Sequence, residues 1–162
     1  MLLRGEGGAD LTIAHFDISG RYIGVHCEVA GETGPGRSYT PPVRRHVDFA
    51  LARRAVLRDL QRGRLTRLDV CDAQAELLRA ARNAGEPLDD DCPVCAGPDL
   101  VLVSYVYGDA LRKENGRCID DAELARLARS HEEFWRYVVE VCPDCGWNHL
   151  HRRELHGRRH AG

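Results

Sequence analysis

Little in this sequence advertises catalysis or a membrane. No G-x-S-x-G elbow, P-loop or G-x-G-x-x-G turn occurs, so a strained nucleophile, a phosphate cradle and a dinucleotide site all lack their usual scaffolds. His131-Glu132-Glu133 lacks the second histidine of H-E-x-x-H, and the P-C-x-x-C of the zinc deaminases is missing, since proline follows rather than precedes the first cysteine of each pair. No apolar run is long enough to span a bilayer, and no signal peptide is read at the start. The expectation is therefore a cytoplasmic protein that is not an enzyme, has no small-molecule substrate and does not engage a membrane. Its 162 residues suit one domain, or one small domain with appendages.

What the chain does have is cysteine in a pattern. Four of its seven cysteines form two knuckles, Cys92-Pro93-Val94-Cys95 and Cys142-Pro143-Asp144-Cys145, each followed by a glycine, Gly97 and Gly146. Two C-P-x-C pairs supply the four thiolates of a closed tetrahedral site, so Cys92, Cys95, Cys142 and Cys145 are expected to hold one structural Zn2+ per chain. An iron site of the rubredoxin kind uses the same ligands. A redox dithiol needs a low-pKa cysteine opening a helix, and neither knuckle clearly opens one. His149 and His151 follow the second knuckle as weaker ligand candidates. Cys27, Cys71 and Cys118 are scattered; Cys71, beside Asp72, reads as packing between helices rather than as a reactive thiol.

The net charge of −2 hides a strong segregation. Residues 37–67 carry nine arginines against Asp48 and Asp59, a balance of +7, and residues 68–99 carry eight acids against Arg79 and Arg82, a balance of −6. One reading is mutual neutralisation within the fold. The other is an arginine face built from Arg44, Arg45, Arg54, Arg58 and Arg62 that meets phosphates or an acidic surface.

Patterning divides the chain into four parts. Residues 1–42 are glycine-rich and end at Pro41-Pro42; they read as a poorly packed extension, with a short hairpin between Ile18 and Val29 and a misassigned start as a further option. Residues 43–87 read as a helical hairpin. A long helix runs from Val43 to Arg62 after Pro42 and stops at Gly63, and a second runs from Ala73 to Ala84 with Asp72 as N-cap and Gly85 as stop. Residues 88–156 form the ribbon. Within it Leu100–Tyr107 is a strand, Gly108–Cys118 a loop, and 120–133 a helix capped by Asp120 and Glu123. Trp135–Val141 is the return strand and 147–155 a third strand, with residues 157–162 a frayed tail. The fold class expected is α+β: an N-terminal αα-hairpin, then a four-cysteine zinc ribbon with a strand–helix–strand insertion. That insertion fills the 46 residues between Cys95 and Cys142. A ribbon this small leans on its metal, so loss of any one ligand is expected to unfold the C-terminal half.

Several runs together resemble an uncharacterised actinobacterial family, the domain-of-unknown-function family 5318: Val70-Cys71-Asp72-Ala73, Leu77-Leu78-Arg79-Ala80-Ala81, Cys92-Pro93-x-Cys95, Tyr105-x-Tyr107-Gly108 and Val139-Glu140-Val141-Cys142-x-x-Cys145-x-Trp147-Asn148-His149-Leu150. The resemblance covers roughly residues 43–156, and its most specific part is the second knuckle with the four residues after it. It implies a small cytoplasmic zinc-ribbon protein and assigns no activity. Two functions fit. In the first, the protein joins nucleic acid or the transcription or translation machinery, its arginines on the backbone and Trp147, Tyr105 or Tyr107 stacking on bases. In the second, it is a protein–protein adaptor or regulator and zinc is only a staple.

Overall fold

The structure is a computed structural model that describes residues 15–16, 22–24 and 45–158. At its centre is an antiparallel five-stranded sheet in the order β3-β7-β6-β5-β4, built from β3 (Arg45–Asp48), β4 (Glu86–Pro87), β5 (Val101–Tyr107), β6 (Phe134–Val141) and β7 (Asn148–His156). Two short strands, β1 (His15–Phe16) and β2 (Tyr22–Gly24), pair separately. The hairpin expected near Ile18–Val29 and the unpacked extension over 1–42 otherwise lie outside the described residues, as do the last four residues of the tail.

The strands follow from β-branched and aromatic content. β5 pairs with β6 from Val101↔Val141 to Tyr107↔Trp135, and β6 pairs with β7 through an irregularity between Val138 and Val139. Alternation puts Val101, Val103, Tyr105, Val139 and Val141 on one face. There Leu77, Ala80 and Ala81 of α3 (Ala75–Ala84) cover them. The opposite face carries Arg136 and Glu140, which alternation alone assigns to solvent. Both are buried, at 5% and 3% exposure, because helices cover this face too. Arg53 of α1 (Ala50–Gln61) reaches Glu140, while Arg136 donates to Ser104 Oγ at 3.0 Å and to Asp121 of α4 (Asp121–Ser130) at 3.1 Å. Beyond the end of β5, Leu111, Ile119, Leu124, Leu127 and Phe134 close a further apolar cluster. Burial pushes the Glu154 carboxyl up, but the His156 and Arg152 hydrogen bonds and the Arg136 charge outweigh it and hold the group down to about 2.

Between Cys95 and Cys142 lie β5, a 3-10 turn over Asp109–Glu114, α4 and β6, so the expected strand–helix–strand insertion is present and its loop contains one more turn of helix. Asp120 caps α4 by accepting from the Glu123 N–H at 2.8 Å. The N-terminal half needs correction. The helix expected from Val43 starts at Ala50, because residues 45–48 are instead drawn out as a strand on the open edge of β7, Arg45 opposite Leu155. It ends where expected, with Gly63 in the left-handed region at φ +71° and its N–H on the Leu60 carbonyl.

A helical turn the sequence did not suggest, α2 (Arg67–Val70), follows, closed by a Thr66–Asp69 capping box. The helix expected from Ala73 begins at Ala75, since Asp72 does not cap it: its carboxylate accepts from Asn148 Nδ2 at 3.0 Å, and the Ala73 N–H donates to the Gly146 carbonyl at 3.0 Å. Residues 71–74 are thus held along the second knuckle. The αα-hairpin is replaced by two helices that each pack on the sheet, α3 on β5 and β6, α1 on β7 and α2. No described helix is long and apolar enough to cross a membrane.

Candidate metal centre

Each knuckle is a tight backbone turn of the same design. In the first, the Cys92 N–H donates to the Gly97 carbonyl at 2.8 Å and the Ala96 N–H to the Cys92 carbonyl at 2.9 Å. The second repeats both bonds five and four residues apart, Cys142 N–H to the Trp147 carbonyl and Gly146 N–H to the Cys142 carbonyl, each at 2.9 Å. The fourth residue after the first cysteine takes a positive φ in both, +57° at Ala96 and +81° at Gly146. Gly97 does not supply the left-handed turn of the first knuckle; Ala96 does.

The turns bring all four sulfurs together. The thiols of Cys92, Cys95, Cys142 and Cys145 lie within 4.8 Å of one another, with Cys92 to Cys145 and Cys95 to Cys142 both at 3.7 Å. A tetrahedral ion with sulfur at about 2.3 Å spaces its ligands about 3.8 Å apart, whereas a disulfide would need about 2.05 Å. The set fits a metal ion. Cys92 and Cys142 are buried beside Val56, Val70, Leu100 and Trp147, with Cys95 and Cys145 half-buried at the rim. Burial pushes the Cys92 thiol up to about 11 and raises that of Cys145, while the Gly97 N–H leads the contacts that lower Cys95. A cation between the four sulfurs would favour their thiolate forms and offset the cost of burying them. Such an ion could be held by all four sulfurs, and a four-sulfur shell leaves it no open position for water.

The histidines stand aside. His149 is buried, its ring stacked on Trp147 at 6.0 Å and its Nδ1 2.7 Å from the Leu150 carbonyl; His151 lies 4.0 Å from Glu140. The indole of Trp147 donates to Glu140 at 2.7 Å, and Arg53 grips both carboxylate oxygens of Glu140 at 2.8 to 3.1 Å. Sequence reasoning counted Arg53 with the basic segment and Glu140 on the outer face of its strand but did not pair them; an arginine and a glutamate 87 residues apart give no local signal. Trp147 and Tyr105 are fully buried and cannot stack on a base, and half-buried Tyr107 meets Tyr137 edge to face.

Arginines of the basic segment divide by role. Arg53 and Arg64 are paired within the fold, with Glu140 and Asp59. The Arg67 guanidinium is pushed up by its contacts with the sulfurs, the Cys71 hydrogen bond first and then the charges of Cys71 and Cys145. Arg54, Arg58 and Arg62 are exposed on or just after α1, and Arg45 is exposed on β3. These four carry no ion pair among the described residues, so the acidic stretch 68–99 does not neutralise them there. Arg44 lies outside the described residues. Leu51, Arg54, Leu57, Arg58 and Gln61 line an open groove of about 340 Å³ along α1.

Comparison with known proteins agrees with the resemblance seen in the sequence. Uncharacterised proteins of Mycobacterium bovis and Mycobacterium tuberculosis are 43% identical to this chain over 104 residues, which is 64% of the chain and 76% of each relative. No solved structure matches it significantly. The model of DUF5318, a family of unknown function, matches residues 41–161, the whole of the sheet and both knuckles, and the chain belongs to that family.

Proposed function

We propose that the four-cysteine centre holds one structural zinc ion, and that the module it staples is a non-catalytic adaptor whose α1 face docks an acidic segment of a partner protein. A closed four-sulfur shell is the arrangement of structural zinc rather than of catalytic zinc. Thiolate ligation also suits a reducing compartment such as the cytoplasm. The observation that carries the docking reading is the exposure of Arg54, Arg58 and Arg62 without ion-pair partners among the described residues, on a helix whose other arginine, Arg53, is consumed by the core. Leucine is interleaved with them: Leu51 is 76% exposed and lines the same groove as Arg54 and Arg58. Arginine beside exposed leucine complements a partner that offers both carboxylates and apolar side chains.

The second reading keeps the arginines and changes the partner to nucleic acid of the transcription or translation machinery. It is favoured by the same exposed Arg45, Arg54, Arg58 and Arg62, which suit phosphates. It is weakened by the burial of Trp147 and Tyr105, which removes the stacking surface.

One experiment separates them: capture of partners from native lysate by the tagged protein and by an Arg54→Ala/Arg58→Ala variant, each with and without nuclease, after metal analysis. A protein partner that survives nuclease and is lost with the two arginines supports the adaptor. Partners lost on nuclease, with affinity for a defined duplex falling steeply as salt rises, move the assignment to phosphate binding. Capture indifferent to both arginines overturns both readings. The double variant should melt within about 0.5 kcal/mol of the parent, since both side chains are solvent-facing.

A further inference from the structure

A fifth cysteine stands at the edge of the metal centre. Cys71 Sγ lies 3.7 Å from Cys145 Sγ, the separation also found between Cys92 and Cys145 and between Cys95 and Cys142. Its position is fixed by backbone rather than by a free rotamer. Cys71 closes α2 with its N–H on the Arg67 carbonyl at 2.9 Å. Its own carbonyl sits so close beneath Gly146 that a Cβ there would meet it at 3.2 Å. The neighbouring Ala73 N–H is tied to the Gly146 carbonyl. Cys71 and Cys145 are both half-buried and open to a small reagent, whereas Cys118 is enclosed in the apolar core.

We infer that Cys71 and Cys145 form an oxidation site at which a hydroperoxide is reduced and the metal is discharged. This rests on the four-cysteine centre holding zinc. The Cys145 thiolate attacks one peroxide oxygen, the O–O bond breaks, and a sulfenic acid forms with loss of hydroxide or alkoxide. Cys71 sulfur then attacks Cys145 sulfur; the S–O bond breaks, the Cys71 thiol proton leaves with that oxygen as water, and a Cys71–Cys145 disulfide remains. Two electrons from the two sulfurs reduce the peroxide. The sulfurs need only close from 3.7 Å to about 2.05 Å. The ion loses one of its four ligands and is released, while residues 71–73 stay tethered to the second knuckle by a covalent bond.

The test uses full-length protein whose zinc content has been measured, treated with hydrogen peroxide. Metal release is followed with a chromogenic chelator, and disulfides are mapped by mass spectrometry. Zinc release accompanied by a Cys71–Cys145 cross-link is the expected result. Cys71→Ser should keep stoichiometric zinc before treatment and lose both the cross-link and the rapid release, and Cys118→Ser should behave as the parent. A disulfide confined to Cys92, Cys95, Cys142 and Cys145, no disulfide at all, or release from Cys71→Ser at the parental rate overturns the inference. If the protein proves to bind no zinc, the metal assignment fails separately. Mapping then still decides whether peroxide joins Cys71 to Cys145.

Discussion

The two knuckles share a motif and a hydrogen-bond pattern, yet one closes its backbone bonds on itself while the other is hydrogen-bonded into the fold. Among the described residues, the backbone bonds of Cys92–Gly97 close on the knuckle itself. The second knuckle is held from outside. Its Gly146 carbonyl accepts from Ala73, its Pro143 carbonyl from Arg82 at 3.1 Å, and Trp147 anchors it to the buried Glu140–Arg53 pair. Asn148 bridges Asp72 and the Gly146 carbonyl, and Leu150 enters the sheet core. The stretch Trp147-Asn148-His149-Leu150, the most distinctive run in the sequence, is thus accounted for by bracing. The same motif is therefore held in two ways: one knuckle closes its backbone bonds on itself, and the other presents sulfurs that the rest of the fold has already positioned.

The sharpest way to break this contrast is to remove the metal. Cys92→Ser or Cys142→Ser should abolish metal binding, because three thiolates leave the shell open. A five-stranded sheet with cores on both faces changes the expected consequence from unfolding of the whole C-terminal half to loss of order at one end. The Cys92 and Ala96 amides should lose hydrogen-exchange protection, while those of Cys142 and Gly146 and of β5–β7 keep most of theirs. Global unfolding on metal removal, seen as loss of the strand signal in circular dichroism, would sink the distinction between the knuckles.

Next in size is the brace beneath the second knuckle. Arg53→Ala leaves the Glu140 carboxylate, 3% exposed, with the Trp147 indole but without its cation. Breaking such a pair should cost about 3 kcal/mol in denaturant unfolding. The first knuckle has no counterpart among the described residues, so truncating its half-buried Val94 should cost less, about 1 kcal/mol. Equal losses would mean that the brace contributes nothing particular.

These contacts also mark where the sequence was legible. The ligands were readable because thiolate spacing is a local pattern with few chemical alternatives. Strands β5 and β6 were readable because β-branched runs are local too. What could not be read was anything decided by distant partners. Val43–Phe49 has helical periodicity, but the free edge of β7 draws residues 45–48 into a strand. Asp72 is spaced as an N-cap, but Asn148 takes its carboxylate. Arg136 and Glu140 fall on the polar face of an alternating strand, and only the helices packed there reveal that they are core. Cys71 read as filler because nothing in sequence brings position 71 beside position 145.

The smallest predicted effects sharpen the comparison most, because they act on one equivalent residue in each knuckle. Ala96 holds φ +57° and Gly146 φ +81°, a region that costs a side chain about 1–2 kcal/mol relative to glycine. Ala96→Gly removes that strain, partly offset by the greater freedom of glycine in the unfolded chain, and should stabilise the protein by about 0.5–1 kcal/mol. Gly146→Ala introduces the strain and also sets a Cβ 3.2 Å from the Cys71 carbonyl, so it should destabilise by about 1–2 kcal/mol. Opposite signs in paired thermal melts follow from two backbones of one shape carrying different residues. The larger magnitude at 146 follows from what lies against it, since nothing forces the first knuckle to keep its neighbours when Ala96 changes. Should Gly146→Ala prove neutral, the packing of residues 71–73 on the second knuckle is looser than its hydrogen bonds imply, and the position of Cys71 beside Cys145 loosens with it.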